Sequence, residues 1–340
     1  MKKVKIKFSG MTGIFDENSN FIIDTLRKRY EVELSDDPDY LFYSVGSTDF
    51  LNYKCIRIFY TPENVVPDFN LCDYAIGFHY INFGDRYLRY PVYLVDSFVA
   101  YSNDDYANDL LRAQNKHLIT DKEIASKDSF CAFVYSNAQA VDCRNRLFYA
   151  LSNYKKVNSG GKCMNNIGKR VDNKLEFQMK HKFVIAFENT STSGYTTEKI
   201  VHAFSANAVP IYWGNPDIEL EFNTKAFINC HKFGLKEGCS DEIIDSIVQE
   251  VIRIDQEDAE YVSMIRTPAF IEENAVELNR KKFECFIFNI FEQDLNSAYR
   301  RNRYYWGERY ERKQRIGNAF YQFLYNFMPL VQKVRKLFRK

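Results

Sequence analysis

Residues 183–215 read FVIAFENTSTSGYTTEKIVHAFSANAVPIYWGN. The apolar run 183–187 is short and rich in strand-forming side chains, as a buried strand should be. Residues 188–194 are Asn-, Thr-, Ser- and Gly-rich and predict a loop. Ile200, Ala203 and Phe204 then recur at the spacing of one buried helical face, and residues 208–213 return as a second strand closed by Gly214-Asn215-Pro216. The unit is strand, loop, helix, strand. Its loop and helix N-terminus lie at the carboxyl end of the first strand, where open α/β sheets bind ligands. Backbone amides and the positive end of the helix dipole favour an anion there. Lys199, in the first helical turn, is poorly placed for that dipole and well placed to meet a phosphate; an ordinary βαβ unit with a solvated Glu–Lys pair fits the same pattern.

Working outward, 340 residues suffice for two domains with sizeable cores. The net charge of +1 hides an asymmetry. Residues 300–340 hold 12 Lys+Arg against 2 Asp+Glu, so the tail carries +10 and the body −9. Such a tail points to an anionic partner. The eight cysteines lack C-x-x-C spacing and several sit in apolar runs, which predicts reduced thiols and neither a disulfide framework nor a zinc site. The N-terminus MKKVKIKF alternates charge with apolar residues and reads as a strand, without the apolar core of a signal peptide. No run reaches the roughly 18 apolar residues of a membrane span. These features predict a cytoplasmic protein whose membrane contact is peripheral.

In chain order, strands are expected over 4–8, 40–45, 56–60 and 74–78, and helices over 21–30 and 97–115. Their alternation argues for a mostly parallel sheet. Asp37-Pro-Asp39 reads as a turn ahead of a strand rather than a metal–nucleotide motif. Glu63 follows the strand 56–60 and reads as a carboxylate at a strand's carboxyl edge or as a solvated turn residue. The cluster 85–89, DRYLR, can contact sugar or decorate a surface. The polar stretch 116–129 is the expected interdomain linker. A second α/β pattern then begins with a strand at 130–135 and a helix at 140–154. Arg144, in that helix's first turns, either faces solvent or offers its fork of donors to a phosphate. The glycine pair in residues 158–161 is no P-loop, and G-x-G-x-x-G is absent, so dinucleotide binding has little support. A strand at 226–230 and helices at 241–254, 255–266 and 274–295 complete the pattern. In the tail, Phe320, Phe323, Leu324, Phe327, Val331, Val334, Leu337 and Phe338 keep helical spacing near clustered Lys and Arg. A basic amphipathic helix of this type suits an anionic membrane surface, though a helix docked on protein has the same pattern; evidence for nucleic acid is thin, and none is expected as a partner.

The stretch 183–215 strongly resembles the signature of the α-1,3/4-fucosyltransferase family. The matching pieces are Phe187-Glu188-Asn189, then Tyr195-Thr196-Thr197-Glu198-Lys199, and Val209-Pro210-Ile211-Tyr212-Trp213-Gly214. The likeness continues into Phe222-Asn223 and Phe227-Ile228-Asn229. Upstream, Val134-Tyr135-Ser136-Asn137 with Arg144, and Ile58-Phe59-Tyr60-Thr61 with Glu63-Asn64, Phe69-Asn70 and Asp73-Tyr74-Ala75, are similar to the bacterial members. The resemblance covers roughly residues 55–235. It implies an α/β protein of GT-B architecture, with two Rossmann-like domains facing across a cleft: an acceptor domain over 1–120, a donor domain over 130–298, and the basic amphipathic helical tail over 299–340.

The reaction so implied moves L-fucose from GDP-fucose to the 3-hydroxyl of GlcNAc in a lactosamine-type acceptor, with inversion. By matching position, Arg144 and Lys199 would bind the diphosphate, with Asn189, Tyr195 and Glu198 also at the donor. Glu63 would be the general base, and Tyr60 would contact acceptor or donor. Glu198 would oppose the sugar cation or hold the ribose. Pro62, where many bacterial relatives have Gly, fixes φ directly before the proposed base. No cofactor beyond the donor and no metal is expected, and the histidines show no ligand spacing. The expected setting is Lewis-type surface polysaccharide synthesis on the inner face of the cytoplasmic membrane. The alternatives are a GT-B transferase with another donor or linkage, and a catalytically silent glycan-binding protein.

Overall fold

The computed structural model describes residues 1–12, 15–95, 106–137 and 141–337, with side chains described through Tyr325. The elements in order are β1 (Lys2–Ser9), α1 (Phe21–Arg27), β2 (Tyr30–Leu34), β3 (Tyr40–Tyr43), β4 (Ile56–Tyr60), β5 (Tyr74–Gly77) and β6 (Tyr87–Arg89). Next come α2 (Tyr106–Gln114), α3 (Asp121–Ala125), β7 (Ser129–Phe133), α4 (Cys143–Tyr154), β8 (Val157–Ser159), α5 (Lys174–Met179) and β9 (His181–Phe187). The chain continues with α6 (Glu198–Ser205), β10 (Val209–Trp213), β11 (Ile228–Asn229), α7 (Asp241–Gln256), α8 (Asp258–Arg266), α9 (Ala275–Glu292), α10 (Leu295–Ala298) and α11 (Tyr305–Leu337). The expected helix over 97–115 is seen as α2; its residues 97–105 lie outside the described residues, as does the start of the helix expected at 140.

The chain divides into two compact units. The first comprises residues 1–77, 82–88 and 285–340, and the second residues 78–81 and 89–284. The first holds a sheet ordered β2-β1-β3-β4-β5-β6, with parallel pairing from β2 through β5. The second holds an all-parallel sheet, β11-β10-β9-β7-β8. Each sheet starts in its interior, adds its second strand on one side and the rest on the other. Strand order therefore reverses between β1 and β3 in one unit and between β7 and β9 in the other. Crevices at the carboxyl ends of such switch points are where ligands bind.

The local reasons are ordinary. Asn20 caps α1 by accepting from the amides of Ile22 and Ile23, both at 3.1 Å. Tyr30 opens β2 instead of extending α1, because YEVEL has a strand's period of two. In the first unit, Leu41, Tyr43, Phe59 and Ala75 form a buried cluster, and Phe291 of α9 stacks on Tyr40 with ring centres 4.0 Å apart. In the second, Phe133, Leu147, Ile185, Ile211, Val251 and Ile265 belong to one continuous core. Helix α6 is buried on all sides except at Lys199, where the sequence pattern suggested a single buried face. All eight cysteines are free thiols.

The domain boundaries differ from those expected. Residues 116–129 are not a linker: Lys116 Nζ lies 3.0 and 2.5 Å from the carbonyls of Met264 and Ile265. Lys127 Nζ meets the carbonyls of Met179, His181 and Ala206 at 2.9, 3.2 and 3.0 Å. These lysine side chains satisfy carbonyls at or next to helix ends inside the second unit, so a polar stretch is not a surface one. The start of the tail is likewise no appendage. Arg301 is buried and ion-paired with Asp73, Arg300 pairs with Asp85 at 2.5 Å, and Glu311 of α11 pairs with Arg57 at 2.9 Å, all within the first unit. Beyond that anchor α11 exposes Ile316, Phe320, Tyr321 and Leu324. The side chains expected to extend this stripe, from Phe327 to Phe338, lie outside the described residues. Among the described residues no helix is long and apolar enough to cross a membrane.

Candidate functional site

The switch point of the second unit is built around Tyr135, two residues beyond β7. Its buried hydroxyl accepts from the Phe187 amide at 2.6 Å and lies 2.9 and 3.1 Å from the carbonyls of Ile185 and Phe187. The ends of β7 and β9 are thereby tied together. Gly161 packs against the Tyr135 backbone so closely that a Cβ there would lie 2.1 Å from the Tyr135 carbonyl oxygen, which explains the glycine pair.

Arg144 enters from the first turn of α4, and only 1% of it is exposed. From the sequence Arg144 is either a solvent-facing residue or a phosphate ligand; in the fold it is out of water and, among the described residues, pairs with no carboxylate. Its guanidinium lies 4.3 Å from the centre of the Tyr135 ring, and Nη2 donates to the Asn137 carbonyl at 2.8 Å. Nε and Nη1 are buried and have no hydrogen-bond partner among the described residues. Leaving such donors unpaired costs about 1–3 kcal/mol each, and more for a charged group.

The loop after β9 supplies the other half. Glu188, fully buried, accepts from the Thr197 amide at 2.7 Å, from Thr197 Oγ1 at 2.6 Å and from Lys199 Nζ at 2.9 Å. The Glu188 amide donates to the Trp213 carbonyl at 2.8 Å. A Cβ on Gly214 would come within 2.3 Å of Glu188 Cγ, so the Trp-Gly pair ending β10 makes room for this carboxylate. Lys199 also reaches Thr197 Oγ1 at 2.8 Å and Glu198 at 3.8 Å. Burial alone would lower its pKa, yet Glu188 and Glu198 hold it well above the usual lysine value. Thr197 gives its hydroxyl to Glu188 and makes no side-chain cap, so the first amides of α6 keep their affinity for an anion.

Glu198 is buried beside this cation. Burial raises its pKa, but Lys199, Lys174 and His202 outweigh that and bring it down to about 2. Lys174 Nζ lies 2.8 Å from His202 Nδ1, and burial, followed by Lys174, keeps the imidazole neutral. Tyr195 is buried with its ring centre 4.9 Å from that of Phe78. Gly194, at φ +82°, donates its amide to Asn215 Oδ1 at 2.8 Å, and Asn215 Nδ2 donates to Thr196 Oγ1 at 3.2 Å. Asn189 is partly exposed at the first bend beyond β9.

Arg144, Asn189, Tyr195, Glu198 and Lys199 therefore all stand on the carboxyl-end loops of one sheet or on the first turns of the helices that follow them. The sequence reading gave no role to Glu188, Thr197, Tyr135, Lys174 or His202. A carboxylate directly after an apolar strand was the signal for Glu188; Lys174 had none. Glu63 and Tyr60 belong to the other unit. Glu63 is exposed in the bend beyond β4, its amide donating to Thr61 Oγ1 at 3.1 Å. Tyr60 is buried, its ring edge-on to Phe21 at 5.3 Å, and burial pushes its hydroxyl pKa up. The 85–89 cluster is structural: Asp85 pairs with Arg300, Arg86 donates to the carbonyls of Phe69, Cys72 and Asp73, and Arg89 forms a bidentate pair with Glu221 at 2.7 Å. Among the described residues no group of three or more His, Cys, Asp or Glu side chains could hold a metal ion.

Residues 6–96 match the family model of the α-(1,3)-fucosyltransferase FucT N-terminal domain, and residues 124–287 that of the glycosyltransferase family 10 (fucosyltransferase) C-terminal region. The chain belongs to this fucosyltransferase family. It is 38% identical over 235 residues to the α-(1,3)-fucosyltransferase FucT of Helicobacter pylori, covering 61% of this chain and 49% of that protein. To a fucosyltransferase of Acanthamoeba polyphaga mimivirus, described as putative, it is 30% identical over 175 residues, covering 47% and 27%. The chain thus spans about half the length, or less, of these curated relatives. A crystal structure of an α1,3-fucosyltransferase with GDP-fucose superposes with a TM-score of 0.64 at 29% identity, covering 84% of this chain and 91% of that one. The family's fold is the one described above, two parallel α/β sheets of the GT-B class. The family models extend the likeness well beyond residues 55–235, to both ends of the two sheets.

Proposed function

We propose that this family member transfers L-fucose from GDP-fucose to the 3-hydroxyl of GlcNAc in a lactosamine-type glycan, with inversion at the anomeric carbon. The observation that carries the reading is Arg144, a buried guanidinium with two nitrogens unpaired among the described residues, at the switch point that also carries Lys199. A diphosphate supplies the acceptors those donors lack, and an arginine fork fits its oxygens. Lys199 and the first amides of α6 add to the same field. All are fixed before the donor arrives, so no reorganisation is needed as charge builds on the leaving group.

The acceptor oxygen attacks the anomeric carbon as its bond to the β-phosphate oxygen breaks, and GDP leaves with the bonding pair. The hydroxyl proton passes to Glu63, whose exposed position beyond β4 suits a base that meets an incoming acceptor. Asn189 and Tyr195 line the donor side. Glu198, ionised and buried, faces the cationic sugar or the ribose. The setting is Lewis-type surface polysaccharide synthesis at the inner face of the cytoplasmic membrane, which the exposed apolar side chains of α11 would contact peripherally.

The test is incubation with GDP-fucose and a lactosamine acceptor array, read by linkage analysis, with calorimetry of GDP against UDP. Fucose found 3-linked to GlcNAc, with GDP bound at least tenfold tighter than UDP, is the expected result (about 1.4 kcal/mol). Equal binding of UDP, or transfer to another position, overturns it. Flotation with anionic against neutral vesicles checks the membrane contact; equal recovery on both rules out its electrostatic part.

A further inference from the structure

The first unit contains a second concentration of positive charge, well separated in sequence from the loops of the donor site. A cavity of about 370 Å³ is lined by Lys54, Arg57, Arg301, Arg303, Arg312 and Arg315, with Glu308 and Glu311 as its only lining carboxylates among the described residues. Arg57 and Arg301 form its floor, both nine-tenths or more buried. Glu311 is shared by three guanidiniums: Arg57 at 2.9 and 3.2 Å, Arg301 at 3.4 Å and Arg315 at 3.5 Å. Asp73, behind the floor, pairs with Arg301. Burial and the neighbouring Arg301 push the Arg57 pKa down against the pull of Glu311, a mark of like charges crowded together.

Six cations therefore meet two carboxylates inside the cavity and one behind it. Lys54, Arg303 and Arg312 form no ion pair among the described residues, and all three are exposed at the cavity's rim. Two features preorganise that rim. The Arg303 guanidinium stacks 3.4 Å from the centre of the Tyr299 ring, and the Tyr299 hydroxyl donates to the Lys54 carbonyl at 2.6 Å. An ordinary charged surface intersperses both signs, and its arginines are free to rotate; here a fixed floor and a stacked wall hold excess charge of one sign around a concave space.

We infer that this cavity is an anion site for a phosphomonoester or diphosphate group, distinct from the donor site. Oxyanions of two or more negative charges would meet forked donors from Arg303, Arg312 and Arg315, while Arg57 and Arg301 supply field from below. The volume admits a diphosphate with an attached sugar or a lipid headgroup. The group could come from a soluble phosphate ester or from a membrane lipid. The inference rests on the first unit alone and is independent of the reaction proposed above.

Calorimetric titration of inorganic pyrophosphate into the full chain, the double variant Arg303→Ala/Arg312→Ala and the single variant Arg144→Ala tests it. Both rim arginines are exposed, so their removal leaves the core intact, and circular dichroism verifies this. The double variant should lose roughly tenfold or more affinity in a binding phase that Arg144→Ala retains. Pyrophosphate binding that the double variant leaves unchanged, or that Arg144→Ala alone abolishes, overturns the proposal. Flotation on phosphatidic acid against phosphatidylserine at matched surface charge separates the sources. A preference for phosphatidic acid that the double variant lacks assigns the lipid phosphate; pyrophosphate binding without that preference assigns a soluble ester.

Discussion

The two sheets share one strand order up to the fifth strand and differ in what their carboxyl ends carry. At the switch point of the first unit, between β1 and β3, the buried atoms without a partner among the described residues are neutral: Thr12 Oγ1 and Ser44 Oγ. Gly10, at φ +62°, brings the backbone there so close to Ser47 that a Cβ would lie 2.5 Å from its amide nitrogen. At the switch point of the second unit, the Nε and Nη1 of a cation lack a partner among the described residues, beside a buried Glu188–Lys199 pair. Neutral hydroxyls in a tight backbone suit a polyol; fixed buried charge suits an anion. The same topology thus offers two ligand chemistries, chosen by a handful of side chains at the loop ends.

The largest expected effect tests the neutral side. Glu63 is the lone carboxylate immediately beyond β4, and Glu63→Gln should lower turnover by about 10³- to 10⁴-fold, the upper range for general-base catalysis. GDP affinity should stay within about twofold, because a base at this position would take the acceptor's proton and leave the donor's contacts untouched. Transfer at an undiminished rate in this variant would remove Glu63 from the mechanism.

On the charged side, only one of the two cations should be needed for stability. Lys199→Met strands Glu188 in the core and should destabilise the fold by about 3–5 kcal/mol, read as a lowered urea midpoint. Arg144→Met removes a buried cation that has no carboxylate partner among the described residues, so stability should be unchanged or higher. GDP affinity should nevertheless fall by about 30- to 100-fold, corresponding to about 2–3 kcal/mol. Comparable destabilisation by both substitutions would mean that Arg144 is held for structure, and the contrast between paired and unpaired cations would collapse.

Much of this was legible in the sequence, for reasons that also explain the omissions. The strand of residues 183–187 and the loop after it announce themselves because a buried parallel strand is a continuous apolar run and its exit is turn-forming. Lys199 and Arg144 were legible as phosphate candidates because both follow strand ends. What spacing does not encode is long-range compensation. Lys174 acts on Glu198 from another helix, and Tyr135 bridges to β9 across 52 positions. Lys116 and Lys127 sit in a polar stretch that reads as a linker, yet their side chains are consumed by carbonyls at distant helix ends. Arg301 reads as part of a basic tail and is instead the partner of Asp73. Polarity in a sequence locates charge; only the fold says whether that charge is solvated.

The smallest effect concerns pH and isolates that compensation. Glu198 titrates near pH 2 in the folded chain, against an ordinary 4.5, because Lys199, Lys174 and His202 outweigh the cost of burial. A depressed carboxylate pKa contributes stability that is present in full above the unfolded value and is lost as pH falls through the folded one. Stability contributed by Glu198 should therefore be constant above about pH 5 and decline between about pH 4.5 and 2, by about 2 kcal/mol down to pH 3. In Glu198→Gln that slope should flatten relative to the parent chain. Lys174→Met, which removes one of the compensating cations, raises the folded pKa toward the unfolded one and should shrink the decline, whereas Lys174→Arg should restore it. Urea midpoints measured from pH 3 to 6 on the four proteins decide the matter. Parallel slopes in the parent and Glu198→Gln would show that Glu198 is not held ionised by its neighbours, and the buried charge on the carboxyl-end segments of the second sheet would then rest on Arg144 and the Glu188–Lys199 pair.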